Sequence, residues 1–288
     1  MPTKSEKQEF SDSGTTGHEW DGIQEYNNPL PRWWLWVFYL CIGWSLVYWV
    51  LMPAWPGISG HSRGLLGYSQ RAAVATQIAE ARQRQGQWLD RIAAATPAEI
   101  VADPDLLTFA QAGGASAFGI NCAPCHGGGA VGRPGYPNLN DDEWLWGGDL
   151  DTIERVIRHG VRSPTDAETL QSEMMPFADL LLPEQIEDLA SHVLSLAGVA
   201  GDDAASQRGA ALFAENCAVC HGETGAGLSE LGAPALNNAI WLYGGDRETV
   251  IETVRNGRRG HMPAWSGRLD DATVKQLAVY VHSLGGGE

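Results

Sequence analysis

Asn121-Cys122-Ala123-Pro124-Cys125-His126-Gly127 returns as Asn216-Cys217-Ala218-Val219-Cys220-His221-Gly222. Cys-x-x-Cys-His is the attachment pattern of c-type haem. Its two thiols take up the two vinyl groups of the porphyrin, and the adjoining histidine becomes an axial iron ligand. On a helix, positions i, i+3 and i+4 share a face, so all three side chains can address one macrocycle. One copy would also suit a redox dithiol or half of a zinc site. Two copies with the same flanking Asn and Gly point to two haem c groups, bound at Cys122, Cys125, Cys217 and Cys220.

Working outward, the two cysteine motifs anchor an internal repeat of 95 residues, from Cys122 to Cys217. Each copy opens on a small-residue helix, 109–121 or 208–216. Each then runs through a Gly- and Pro-rich loop to Trp144-Leu145-Trp146-Gly147-Gly148-Asp149 or Trp241-Leu242-Tyr243-Gly244-Gly245-Asp246. Helices are expected at 150–159 and 247–256, ended by Gly160 and Gly257, and amphipathic helices at 183–196 and 270–284 close the copies. The fold class is therefore all-α, with two tandem class I cytochrome c domains, 109–200 and 205–286, behind a membrane anchor.

The sixth iron ligand decides between ligand chemistry and electron transfer. Met175-Pro176 and Met262-Pro263 lie 49 and 41 residues beyond His126 and His221, each just before the last helix of its copy. A proline after Met stiffens the loop that presents the thioether. The expected axial set is His126 with Met175 and His221 with Met262. Met174 competes with Met175, which is preferred because the aligned Met262 also precedes Pro. His159, His192, His261 and His282 are rivals for bis-His ligation but do not repeat in register. Arg158 and Arg255 do repeat, as propionate partners through the guanidinium fork or as plain surface arginines, and Trp144 and Trp241 read as pocket walls.

The chain has 288 residues, with 19 Lys plus Arg against 35 Asp plus Glu and a formal charge of −16. That balance excludes nucleic acid as a partner and suits a basic partner protein. Four of the five cysteines sit in the haem motifs, and Cys41 reads as a small apolar filler. Residues 33–55 contain no charged residue and have aromatic residues at both ends, as expected of one transmembrane anchor. The 1–32 tail, with Lys4, Lys7 and Arg32, has no cleavable signal pattern. Flanking charges hardly decide orientation. Covalent haem attachment does, because it occurs outside the bacterial inner membrane: the tail is expected in the cytoplasm and the haem domains in the periplasm. Residues 56–108 read as a helical connector, with an exposed helix over 69–90 and a helix start at Thr96-Pro97-Ala98-Glu99.

Together these stretches resemble the membrane-anchored dihaem cytochrome c subunit of cbb3-type haem–copper oxidases. The resemblance covers nearly the whole chain, including His18-Glu19-Trp20-Asp21-Gly22-Ile23-Gln24-Glu25, Asn27-Asn28-Pro29-Leu30-Pro31-Arg32-Trp33-Trp34 and Gly64-Leu65-Leu66-Gly67-Tyr68. It implies His/Met ligation of both haems and no oxygen-reducing site in the chain itself. It also implies a soluble periplasmic cytochrome c as donor, and a monohaem cytochrome c subunit and a catalytic haem–copper subunit as acceptors. A free-standing membrane-tethered shuttle would need the haem modules but not the amino-terminal stretch.

Overall fold

The computed structural model describes residues 14–199 and 203–285; Lys4 and Lys7 lie outside the described residues. The chain divides into two compact units at Arg82 and Gln83.

The first unit begins with a hairpin, β1 (Thr15–Trp20) and β2 (Ile23–Tyr26). Its turn is Asp21-Gly22, both at positive φ, the pairing that matches the twist of two-residue hairpins. Helix α1 (Arg32–Leu51) has 20 residues, and at ~1.5 Å per residue spans a ~30 Å hydrocarbon core. Rings stack along it one turn apart, Trp34 on Phe38 and Trp44 on Tyr48, with centroids 5.5 and 5.2 Å apart. Cys41 lies exposed on this helix. The helix ends four residues before the apolar run does. Met52 turns extended, and Pro53 and Pro56 have no N–H to continue the ladder. The chain then doubles back through β3 (Pro56–Gly57) and β4 (Gly60–His61). Leu65 and Leu66 donate to the orphan carbonyls of Val50 and Leu51, each at 3.0 Å. That return requires Gly64, since a Cβ there would lie 2.3 Å from the Leu51 carbonyl oxygen.

Helix α2 (Gln70–Ala94) crosses the division between units. The connector expected over 56–108 is not exposed throughout, because the last turns of α2 enter a core. Ile92 is fully buried with Ile100, Leu106, Ala110, Ala272 and Val279, and Trp88 stacks on Phe109 at 5.8 Å. Lys275 donates to the carbonyls of Ala93 and Ala95 at 2.7 and 2.8 Å, satisfying the helix C-terminus with a cation. Helix α3 (Pro97–Ala102) starts at Thr96 with both halves of a capping box to Glu99. Thr96→Ala is expected to cost ~1 kcal/mol, read as a lower thermal midpoint of the intact chain.

The longer regular elements of the second unit are helices. α4 (Pro104–Asn121), α5 (Ala123–His126), α6 (Leu150–His159) and α7 (Pro183–Leu196) are followed by α8 (Asp203–Asn216), α9 (Ala218–His221), α10 (Arg247–Asn256) and α11 (Asp271–His282). The cores do not follow the repeat. One core joins Phe118 of α4 and Ile153 and Ile157 of α6 to Val274, Leu277, Ala278 and Val281 of α11. The other joins Phe213 of α8 and Val250 and Val254 of α10 to Ile186, Leu189, Ala190 and Val193 of α7. The two copies have exchanged closing helices. The expected boundaries, 109–200 and 205–286, describe the repeat in sequence and not the packed modules. The second module is one continuous stretch held inside the first. The short connection from α7 to α8 lets α7 fold straight back onto α8, as short links between helices favour. Ion pairs fasten both arrangements: Arg208 binds Asp188 through two bonds of 2.7 and 2.6 Å, and Arg158 joins Glu154 to Asp271, the latter at 2.5 Å.

Candidate functional site: two cavities at the cysteine motifs with exchanged methionine loops

Each haem motif sits where a long helix stops. Cys122 caps α4, its N–H donating to the Phe118 carbonyl at 2.9 Å, and Cys217 does the same to Phe213 at 2.8 Å. The short helices α5 and α9 then carry Cys125 and His126, or Cys220 and His221. Nδ1 of His126 lies 3.0 Å from the Pro137 carbonyl, and Nδ1 of His221 lies 3.0 Å from that of Pro234. A carbonyl only accepts, so Nδ1 carries the proton and Nε2 keeps its lone pair, as an iron ligand must. Burial pulls both imidazole pKa values down, against the raising effect of these bonds, which keeps the rings neutral. Burial, with the neighbouring thiol of each motif, pushes Cys122 and Cys217 up to about 11.

Both motifs face large cavities open to solvent. The first, about 1290 Å³ including its mouth, is lined by Phe118, Leu139, Trp144, Ile153, Ile157 and Trp265 around Cys122, Cys125 and His126. The second, about 1530 Å³, is lined by Phe177, Val193, Phe213, Leu236, Trp241 and Val254 around Cys217, Cys220 and His221. Paired thiols, an oriented imidazole and apolar walls fit a covalently held tetrapyrrole. Trp144 and Trp241 are pocket walls as expected, each lying over a glycine. A Cβ on Gly148 or Gly245 would come within 2.6 or 2.5 Å of the indole, which explains the repeated Gly-Gly-Asp.

The methionines differ from the sequence expectation in two respects. First, Met262 lines the cavity of His126, whereas Met174 and Met175 line that of His221. Each methionine loop accompanies its exchanged helix. Second, the loops are in register at Met174 and not at Met175. Met262 exchanges two backbone bonds with Val161, at 2.9 and 3.0 Å, and Met174 exchanges two with Arg258, both at 3.0 Å. Trp265 donates to Ile157 and Phe177 to Val254 in the same way, at 3.2 and 3.1 Å. Gly160 and Gly257 make room for these contacts, since a Cβ would lie 2.4 Å from the Met262 oxygen or 2.2 Å from the Met174 oxygen. Met174 packs on the second core, while Met175 is 51% exposed. Aligning the two Met-Pro dipeptides puts the first loop one residue out of step.

The other candidates resolve by position. His159 pairs with Asp166 and Glu168, and His192 packs its ring on Phe213, 5.3 Å between centroids. Neither lines a haem cavity, and nor does His282. His261 lines the first cavity but is exposed. Arg158 is committed to its two carboxylates, Arg255 is exposed, and neither lines a cavity. Leu145, Arg162, Leu242, Tyr243 and Gly260 line both cavities and form a common wall, a role that nothing in their local sequence marks. Arg258 stacks on Tyr243 in that wall, 4.3 Å from the ring centroid.

Two family models match this chain. One is described as the N-terminal domain of cytochrome oxidase-cbb3, FixP, and covers residues 12–59. The other, "Cytochrome C oxidase, cbb3-type, subunit III", matches twice, over 109–193 and 204–281. The cbb3-type oxidase subunit FixP of Azorhizobium caulinodans is 52% identical over 275 residues, 95% of this chain and 94% of that protein. FixP of a Bradyrhizobium species and the subunit CcoP of Cereibacter sphaeroides are each 50% identical over the full length of both chains. Cytochrome c domains of this kind imply haem c as cofactor. The chain belongs to the family of cbb3-type cytochrome c oxidase subunit III, the electron-transferring cytochrome c subunit of that enzyme.

Proposed function

We propose that the chain carries two haem c groups and is the electron-uptake subunit of its oxidase, with no oxygen-reducing site of its own. A haem c held in each cavity supplies one-electron exchange at its iron. Cys122 and Cys125 would hold one and Cys217 and Cys220 the other. His126 with Met262 would hold one iron and His221 with Met174 the other, a crossed arrangement supported by the exchange of closing helices and by the common backbone register of the two methionine loops. With a methionine to close each iron, the protein's part would be to fix the ligands, exclude water with the apolar walls and keep the two centres adjacent.

The observation that carries this reading is the common wall of Leu145, Arg162, Leu242, Tyr243 and Gly260. Two centres on either side of one shared wall suit transfer between them. Helix α1 would anchor the chain once in the bacterial inner membrane, with the amino terminus in the cytoplasm and the haem unit in the periplasm. There a soluble cytochrome c would donate, and the monohaem and catalytic haem–copper subunits would accept. The chain's acidic balance suits a basic donor. Purification through a tag on this chain in mild detergent tests the assignment. Co-purifying catalytic and monohaem subunits, with two haems bound covalently to this chain, are expected. A chain that purifies alone, or with one covalent haem, contradicts it.

A further inference from the structure

Arg162 is the residue through which both methionine loops are tied together. Its Nε donates to the carbonyl of Gly260, two residues before Met262, and its Nη1 donates to the carbonyl of Ser172, two residues before Met174. One planar guanidinium therefore grips the same point on both loops, a geometry its fixed fork permits and a lysine cannot copy. The backbone is arranged for this contact. Arg162 has φ +54°, in the left-handed region that costs a non-glycine residue free energy and persists only where its surroundings demand it. Arg259 stands at the matching place after Gly257, yet it has no such φ among the described residues. It turns outward to Glu173, 2.8 Å away, with its side chain 73% exposed. Arg162 has no carboxylate within ion-pair distance among the described residues, and burial holds its pKa below the ordinary arginine value. It remains a protonated, partly desolvated cation in the wall common to both cavities.

We propose that Arg162 is a shared positioning residue for both axial methionines, holding the two loops against their haems from one point. The proposal rests on methionine ligation of both irons. Loss of the staple frees both loops together, so an added ligand should displace both methionines more readily.

The test uses the full-length chain in detergent with both haems attached, and imidazole as the competing ligand. Imidazole binding to the ferric protein is followed by loss of the sulfur-to-iron charge-transfer band. One charge-assisted hydrogen bond per loop is worth a factor of about ten in such an equilibrium. Arg162→Gln is expected to bind imidazole about tenfold more tightly across the whole amplitude of the band, while Arg259→Gln titrates like the unaltered chain. Arg162→Lys keeps the charge but not the fork, and is expected to show a gain of about threefold, again at both haems. It carries the test if the Gln variant does not assemble. A gain confined to half the amplitude, or none in Arg162→Lys and Arg162→Gln, overturns the shared role. Absence of the band from the unaltered chain would instead refute the methionine ligation beneath it.

Discussion

Gly209→Val is expected to lower the thermal midpoint of the haem unit by about 10 °C, from a loss of ~3 kcal/mol. Gly209 marks the crossing of α8 over α7. A Cβ there would lie 2.1 Å from the Asp188 carbonyl oxygen, 2.6 Å from its carbon and 2.9 Å from the His192 Cβ. Two of those three atoms are backbone and cannot swing aside, so the helices must part. Parting them opens the core of Leu189, Val193 and Phe213 beside the second haem motif. Gly114 plays the same part where α4 crosses α11, with Gln276 carbonyl oxygen 2.3 Å and Tyr280 Cβ 2.5 Å from its virtual Cβ, and Gly114→Val should cost as much. Gly86, in the open middle of α2 with nothing within 4 Å, is the control. Gly86→Ala should raise stability by up to ~1 kcal/mol through helix propensity alone. Thermal melts of the three variants separate crowding at the crossings from a general intolerance of side chains at helical glycines.

Met262→His is expected to lower one midpoint potential by a sizeable part of the ~0.8 V over which axial ligands move haem iron. The affected haem is the one attached at Cys122 and Cys125, although Met262 follows the other motif in sequence. Imidazole replaces a thioether that favours the reduced iron. The loop itself should hold, because its bonds to Val161 are backbone. Met174→His should lower the other midpoint, and Met175→His should move neither by a comparable amount, since that side chain is half exposed. A redox titration of the three variants reads all of these outcomes.

Much of this was legible in the sequence. Two attachment motifs, their Trp-rich segments and glycine-ended helices come from local chemistry, and α6, α7 and α10 lie where the pattern puts them. The partition of the repeat was not legible. α7 and α11 are both amphipathic helices that close a sequence copy, so either could close either copy, and only the few residues between α7 and α8 and the tertiary contacts choose. The register of Met174 was hidden for a related reason. Two adjacent methionines before one proline leave the alignment to the proline, whereas the fold aligns Phe177 with Trp265. The amino-terminal hairpin carried a readable signal in Asp21-Gly22. Arg162 carried none, because its importance lies in two carbonyls, of Gly260 and Ser172, that sequence separation conceals.

The crossed pairing is tested most directly in a chain with Cys122→Ser and Cys125→Ser, which leaves only the haem at Cys217 and Cys220. Adding Met262→Ala to that chain should leave the sulfur-to-iron charge-transfer band intact, and adding Met174→Ala should abolish it. A band lost with Met262→Ala and kept with Met174→Ala would show that each sequence copy supplies its own methionine.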